Sequence, residues 1–264
     1  MPSRRKHKAQ KPRGRSAFLW FGLAVALAAG AGAWWLYRAP KKSAQPNVQA
    51  NVAANAVSMD ARTNQENAEA FFAWITNHTD AAELLNMGTT FLEQGRLGES
   101  ILCYLRAIEL KPEDEEARFN VGLAYSRAGR LAEAERSYRE ALKLFPEYVE
   151  AHMNLGNVLT RQKRYSEAIE EFTSALKLAP ENASAHNNLG RALAEQGIPG
   201  EALAHFSEAA RLDPNYVEAR FNLGSTYLGL GRTNEAIAAF QETLRLRPNF
   251  APAVQVLAHL QRSR

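Results

Sequence analysis

Two residue types recur along this chain at a spacing of 34, and this recurrence constrains the fold more than any other feature. The prolines are Pro112, Pro146, Pro180, Pro214 and Pro248, and the glycines are Gly88, Gly122, Gly156, Gly190 and Gly224. An aromatic residue follows each glycine at a constant distance, at Tyr104, Tyr138, Phe172, Phe206 and Phe240. A repeat of this period indicates stacked units, each of which contacts only its neighbours.

Each unit has the pattern of two helices. In residues 149–182, Ile169, Phe172 and Leu176 follow the spacing of one helical face. The proline ends the second helix because it lacks an amide donor. Small residues recur where two helices would cross closely, at Ser100, Ala134, Ala168, Ala202 and Ala236. Glycines that tolerate a positive φ are expected in the turn between the helices, at Gly95, Gly129, Gly197 and Gly231.

This pattern resembles the tetratricopeptide-repeat family. The resemblance implies an all-α fold, a right-handed superhelical α-solenoid of helix-turn-helix repeats whose first helices line a concave groove. The five repeats are residues 81–114, 115–148, 149–182, 183–216 and 217–250. Capping helices are expected at both ends, over 65–80 and 251–264. In the second of these, Val254, Leu257, Ala258 and Leu260 are predicted to face inward.

The resemblance also implies that the sixth position of each repeat faces the groove. That position is an asparagine in all five repeats, at Asn86, Asn120, Asn154, Asn188 and Asn222. A primary amide both donates and accepts, so a row of amides can pair with the backbone of an extended peptide. The row is similar to the asparagine ladder of O-linked N-acetylglucosamine transferase repeats. The alternative is that each amide bonds locally to a neighbouring helix.

Apolar residues flank this row and are predicted to anchor a peptide or an amphipathic helix. They are Phe119, Met153, Tyr148, Tyr216 and Phe221. The alternative is that these side chains pack between repeats. The lysines and the arginine with which related repeats clamp the carboxylate of chaperone tails are missing from the corresponding positions, which argues against that ligand.

The N-terminal region differs sharply from the repeats in charge. Residues 1–42 hold ten of the 32 basic residues and none of the 28 acidic ones, so the remainder has a net charge of −6. We predict a basic cytoplasmic tail over 1–16, a transmembrane helix over 17–37 and a flexible linker over 38–64. The excess of upstream cations places the N-terminus in the cytoplasm. A cleaved signal peptide, with a processing site at Ala31-Gly32-Ala33, is the alternative.

Composition argues against most catalytic classes. The single cysteine, Cys103, rules out an internal disulfide and a Cys-based zinc site, and no phosphate-binding glycine loop or nucleophile elbow is present. His152 and His186 share a repeat position that Arg118 and Arg220 occupy in other repeats, which favours a polar helix face over a metal site. We therefore expect no catalytic residue, no metal and no cofactor. The acidic repeats also disfavour nucleic acid as a ligand.

Together these patterns predict a membrane-tethered, non-catalytic adaptor that binds protein segments and assembles an envelope complex. The repeats are expected to be extracytoplasmic, and periplasmic in a bacterium. The alternative is a factor of the cytochrome c maturation type that presents apocytochrome tails, a resemblance of architecture only.

Overall fold

A computed structural model describes the backbone of residues 63–262, and side-chain environments from residue 70 to residue 262. Twelve helices and no strand occur in this part of the chain. They are α1 (Thr63–Asn77), α2 (Ala81–Glu93), α3 (Leu97–Leu110), α4 (Glu115–Arg127), α5 (Leu131–Leu144), α6 (Val149–Arg161), α7 (Tyr165–Leu178), α8 (Ala183–Gln196), α9 (Pro199–Leu212), α10 (Val217–Gly229), α11 (Thr233–Leu246) and α12 (Ala251–Arg262).

The helices pack in the order expected of a solenoid, which confirms the predicted all-α repeat fold. Each of α2, α4, α6, α8 and α10 is the first helix of a repeat and packs against the second helix that follows it. From α4 onward, each first helix also packs against the second helix of the preceding repeat. The handedness of the superhelix stays a prediction.

The predicted basic tail, membrane span and most of the linker lie outside the described residues. None of the helices within residues 63–262 is long and apolar enough to cross a bilayer.

The recurring glycines and aromatic rings fit against each other within each repeat. A Cβ atom placed on Gly88 would lie 2.6 Å from the Tyr104 ring, and one on Gly156 would lie 2.7 Å from the Phe172 ring. These distances are far below van der Waals contact, so only glycine lets the first helix approach the ring. The rings themselves are buried at the centre of each repeat. The recurring glycine and the recurring aromatic residue of the sequence pattern are therefore the two sides of one contact within each repeat.

The turns between the two helices of a repeat use a left-handed residue. Gly95, Gly129, Gly197 and Gly231 have φ of 74°, 75°, 87° and 73°, as the sequence predicted. In the third repeat Lys163 takes this conformation at φ 62°. A side chain in this region crowds the backbone, so Lys163 is held there at a cost of about 1 kcal/mol or more.

The ends of the helices follow known capping chemistry. Asp80, Asp114 and Asn182 accept hydrogen bonds from backbone amides in the first turns of α2, α4 and α8. Tyr148 and Tyr216 occupy the same position before α6 and α10 without a side-chain cap. Each recurring proline lies two residues beyond the last residue of a second helix, where it prevents continuation.

Helix α1 precedes the first repeat and packs against α3. Its Ile75 is fully buried, and Phe71 and Phe72 pack partly buried on the same apolar cluster, which also contains Leu84 and Cys103. Trp74 remains 40% exposed although its ring stacks on Phe71 at 6.0 Å.

The predicted inward face of the last helix was wrong at Val254, which is 44% exposed. Ala253 is the fully buried residue of α12, and Val256, Leu257 and Leu260 pack around the adjacent cluster. Val254 holds the fourth position of the repeat, which in complete repeats meets the second helix of the same repeat. No second helix follows α12 within the described residues, so this side chain faces solvent.

Candidate peptide-binding groove

The first helices of successive repeats contact one another in order, α2 with α4, α4 with α6, α6 with α8 and α8 with α10. We call the surface that these five helices present the first-helix face. All the predicted ligand-binding residues lie on these helices or at their N-terminal ends. The repeat therefore brings onto one face residues that are far apart in sequence.

The asparagine row is present, but its members differ in what they bind. The Asn154 amide donates to the Glu150 carbonyl at 2.8 Å, within its own helix. The Asn222 amide donates to Asn187 Oδ1 at 2.9 Å, across to the preceding repeat. Asn187 is 4% exposed and donates to Asn188 Oδ1 at 3.5 Å. In these repeats, local or inter-repeat bonds therefore use part of the amide capacity.

The amides of the first two repeats are different. Within the described part of the chain, the side chains of Asn86 and Asn120 have no hydrogen-bond partner. Asn86 is exposed and Asn120 is half-buried, so both are accessible to a ligand. An unpaired amide on a solvent-accessible face offers two donors and an acceptor to a peptide backbone.

The predicted apolar anchors are all half-buried, and the rings take part in packing. The Phe119 ring lies 4.8 Å from Tyr148 and 5.7 Å from Tyr138, measured between ring centroids. Phe221 lies 5.5 Å from Phe240 and 5.2 Å from Phe250. Such distances are typical of favourable aromatic pairs. Each set of rings therefore packs within a single repeat, and Phe119 and Phe221 leave part of their surface accessible.

The remaining predicted anchors differ in surroundings. Met153 packs partly buried against the main core, while Tyr148 and Tyr216 precede α6 and α10. Burial, and then the carboxylates of Glu150, Glu116 and Glu115, raise the pKa of Tyr148 to about 12. The hydroxyl therefore stays protonated and is available as a donor at an acidic edge of the first-helix face.

The fourth position of the repeat has a structural role that the sequence analysis missed. His152 Nε2 and His186 Nε2 donate to the carbonyls of Pro146 and Pro180, each at 3.0 Å. Arg118 donates to Pro112 O and Arg220 to Pro214 O in the same way. These bonds satisfy the carbonyl of the recurring proline. A basic residue six positions after each of four prolines was the available signal.

The two histidines have different partners on the second helices. His152 Nδ1 lies 2.6 Å from Glu171 Oε2, and this hydrogen bond raises the pKa of His152. His186 Nδ1 lies 3.0 Å from His205 Nδ1. Burial and then the neighbouring His186 lower the pKa of His205. Because His186 Nε2 donates to a carbonyl, the neutral ring accepts at Nδ1 from His205.

Two arginines connect neighbouring first helices near their C-terminal ends. Arg127 donates to Leu92 O at 3.2 Å, and Arg161 donates to Ser126 O at 3.1 Å and to Ser126 Oγ at 3.3 Å. Both bonds span 35 residues, one repeat and one position. Arg191 is exposed on α8, at the ninth position of its repeat. Arg127 and Arg161 share the thirteenth position of their repeats, but the other repeats hold Glu93, Glu195 and Gly229 there, so the column does not stand out as basic.

No group of three or more His, Cys, Asp or Glu side chains suited to a metal ion occurs in residues 63–262. Cys103 is fully buried on α3, and burial raises the pKa of its thiol to about 12. The reactive thiolate is therefore scarcely populated at neutral pH.

Family comparisons agree with this geometry. Three tetratricopeptide-repeat family models match the chain, one at residues 88–129, one at 122–182 and 164–217, and one at 193–260. Together they run without a gap from residue 88 to residue 260. The chain is therefore a tetratricopeptide-repeat protein. No curated protein matches it in sequence.

Solved structures share the fold at low sequence identity. YrrB, described as a tetratricopeptide-repeat protein with an unusual peptide-binding site, is 24% identical, with a TM-score of 0.60 over 72% of this chain and 98% of YrrB. MamA from Desulfovibrio magneticus RS-1 is 22% identical, with a TM-score of 0.61 over 65% of this chain and 97% of that structure. PilF from Pseudomonas aeruginosa is 20% identical, with a TM-score of 0.59 over 66% and 79%.

Proposed function

We propose that this protein is a non-catalytic adaptor that binds an extended protein segment along its first-helix face. The observation that carries the proposal is the pair of accessible, unpaired amides at Asn86 and Asn120. Phe119 adjoins Asn120 and is half-buried, so an apolar contact and a backbone-pairing group are adjacent. Amide pairs with the peptide backbone supply register, and apolar contacts supply affinity.

The similarity to YrrB supports a peptide as the ligand, because that protein is described as having a peptide-binding site. The structure here favours the first two repeats as the place where backbone pairing begins. In later repeats the Asn154 and Asn222 amides already have protein partners. A ligand would have to displace those bonds, which reduces the net gain from each amide.

We further propose that residues 17–37 tether the protein to a membrane, that the repeats lie on the extracytoplasmic side, and that the partner belongs to an envelope complex. The charge asymmetry of the N-terminal region supports this topology. A reporter that is active only outside the cytoplasm, fused after Arg264, should be active. Activity of only a cytoplasmic reporter at the same site would contradict the topology.

Site-specific photo-crosslinking tests the binding face directly. A photoreactive residue at position 120 should capture a discrete protein partner in cells. The matched control is the same residue at position 136, because Arg136 is exposed on the second helix α5. Equal capture from both positions, or capture from position 136 alone, would contradict the assignment of the binding face.

The amide hypothesis has a separate test. Asn86→Ala combined with Asn120→Ala should weaken binding of the captured partner about tenfold, or about 1.4 kcal/mol. The thermal stability of the double variant should stay close to that of the wild-type protein, because neither amide has a hydrogen bond to lose within the described chain. Asn154→Ala serves as the comparison, since it removes a local bond to Glu150. Lost stability with unchanged binding in the double variant would favour a packing role.

A further inference from the structure

Most arginines of the second helices and of the preceding turns pair with nearby glutamates. Arg96, Arg130, Arg164 and Arg232 stand just before second helices and each pairs with the glutamate three residues later. Arg211 and Arg245 pair with the glutamate three residues before. Ten of the sixteen arginines in residues 70–262 have a carboxylate partner, and the six that have none are Arg127, Arg136, Arg161, Arg191, Arg220 and Arg262.

The groove-facing arginines depart from this rule. Arg127, Arg161 and Arg191 are exposed, and none forms an ion pair with a carboxylate among residues 70–262. We call these three residues the groove arginines. They lie on α4, α6 and α8, three consecutive first helices, so the unpaired charge forms a row along the first-helix face.

Two of the groove arginines are held in place by backbone carbonyls. Arg127 and Arg161 each donate from one terminal nitrogen to a carbonyl in the last turn of the preceding first helix. A guanidinium has five N–H donors in a fixed plane, so the other edge of each head group remains available. The carbonyl bonds orient these head groups before any ligand arrives.

The third groove arginine has a possible partner that it does not use. Glu195 lies one helical turn after Arg191 on α8, a spacing that favours ion pairs. Its carboxylate instead accepts from the Tyr165 hydroxyl at 3.4 Å. Arg191 forms no hydrogen bond or ion pair with the described residues. It caps no helix end either, so structural need does not account for its placement.

The strained turn of the third repeat adds another cation beside this row. Lys163 is exposed and lies two residues after Arg161, in a left-handed position that holds glycine in the other four repeats. Strain of this kind persists where surrounding structure maintains it, and it concentrates at functional sites. Replacement of glycine by lysine here increases the positive charge at the C-terminal ends of the first helices.

We propose that the groove arginines receive the carboxylates of an acidic protein segment, with repeats two to four as its docking surface. The proposal rests on the adaptor function proposed above and names the chemistry of the partner. Arginine and carboxylate form two parallel hydrogen bonds, which adds geometric specificity to charge attraction. Cations on an otherwise acidic body also direct the approach of an acidic segment to this row.

Three fluorescein-labelled peptides of equal length provide the test. In all three peptides every second residue is Thr or Leu. The residues between them are all Glu in the first peptide, all Gln in the second and all Lys in the third. Fluorescence anisotropy with the full-length protein should show that the Glu peptide binds at least about tenfold more tightly than the Gln peptide. The preference should shrink as salt rises from low to physiological ionic strength.

Charge reversal locates the effect. Arg191→Glu should weaken binding of the Glu peptide, and Arg161→Glu with Arg191→Glu should weaken it by about tenfold or more. Arg136→Glu on α5 changes the net charge by the same amount as Arg191→Glu and should leave binding unchanged. Because Arg191 has no protein partner to lose, its variant separates binding from folding. Circular dichroism melting verifies that all variants remain folded.

Several results would overturn the proposal. These are absence of binding of the Glu peptide, equal binding of the Glu and Gln peptides, or unchanged binding by the charge-reversed variants. Tighter binding of a single-stranded oligothymidylate than of the Glu peptide would assign the row to phosphate. If the Gln peptide binds equally well and binding is lost in the Asn86→Ala, Asn120→Ala variant, the adaptor function stands while the acidic partner is rejected.

Discussion

The interior of each repeat and the first-helix face follow opposite rules. Between the two helices of a repeat, the same fit recurs five times, with a glycine against a ring and a small residue beside it. On the first-helix face, only the asparagine is constant, and its hydrogen bonds differ from repeat to repeat. Packing thus requires uniformity in the interior, whereas the first-helix face, where we propose that the partner binds, can vary from repeat to repeat.

The largest expected effect comes from the interior. Phe172→Ala should lower the free energy of unfolding by about 3–5 kcal/mol, because it removes a fully buried ring and leaves a cavity. Urea denaturation followed by circular dichroism measures the change. Asn154→Ala, on the first helix of the same repeat, is the control and should cost about 1 kcal/mol or less. Similar losses of unfolding free energy in the two variants would contradict the difference between the repeat interior and the first-helix face.

A charge network on the second helices should have a smaller effect. Glu135 is 9% exposed and accepts from Arg164 at 2.7 Å and from Arg139. Burial opposes ionisation, but hydrogen bonds from Arg164 and Gln162 and the charge of Arg139 hold the pKa of Glu135 below its usual value of 4.5. Glu135→Gln should therefore cost about 1–2 kcal/mol at neutral pH.

The same network has a defined pH dependence. Since the folded-state pKa is lowered, the stabilisation is present above pH 4.5 and is lost as the pH falls through the lower folded value. The melting temperatures of the wild-type protein and of Glu135→Gln should therefore converge as the pH is lowered into the acid range. A difference in melting temperature that stays constant from neutral to acid pH would show that ionisation of Glu135 does not stabilise the fold.

Two buried tyrosines at one repeat position allow a matched comparison. The Tyr104 hydroxyl lies 3.1 Å from Thr89 Oγ1, whereas the buried Tyr138 hydroxyl has no partner among the described residues. Tyr104→Phe should destabilise the protein by about 1 kcal/mol, and Tyr138→Phe should be neutral or stabilise by up to about 1 kcal/mol. Chemical denaturation measures whether each substitution lowers or raises the free energy of unfolding. Equal destabilisation would mean that Tyr138 has an unseen partner such as water.

The smallest effect concerns the strained turn. Lys163→Gly should raise the free energy of unfolding by about 0.5–1 kcal/mol, because glycine adopts the left-handed conformation without crowding. Gly197→Lys is the reciprocal variant and should lower it by a similar amount. Peptide binding should weaken in Lys163→Gly if this lysine contributes to the charged row. A stabilised variant with unchanged binding would limit Lys163 to a structural role.

The sequence predicted the repeats well because spacing and steric fit are recorded in the same residues. Gly156 and Phe172 mark both the period and the contact, so the pattern leads directly to the fold. Val254 was misplaced because periodicity shows that a helix has an apolar face but does not show which neighbour is missing. The contact made by position four was missed because its partner is a backbone carbonyl, which has no signature in side-chain composition.

The candidate site was less predictable from the sequence. The asparagine column was evident, but whether an amide is free depends on neighbours such as Asn187 and Glu150, whose geometry a sequence does not show. Arg127 and Arg161 share one position of their repeats and Arg191 holds another, but a sequence does not show which arginines have carboxylate partners, and this became evident only from the ion pairs of the folded chain. Unpaired charge is a property of the folded surface and not of a motif.

The glycine and the ring that fit together always come from the same 34 residues, as in Gly88 with Tyr104 and Gly224 with Phe240. This steric constraint is therefore inherited with a single repeat, and it leaves the neighbouring repeats free to diverge. Duplication or exchange of one such unit transfers the fit intact. The evolutionary consequence is that the binding surface can change length or chemistry by whole units while the interior of each unit needs no readjustment.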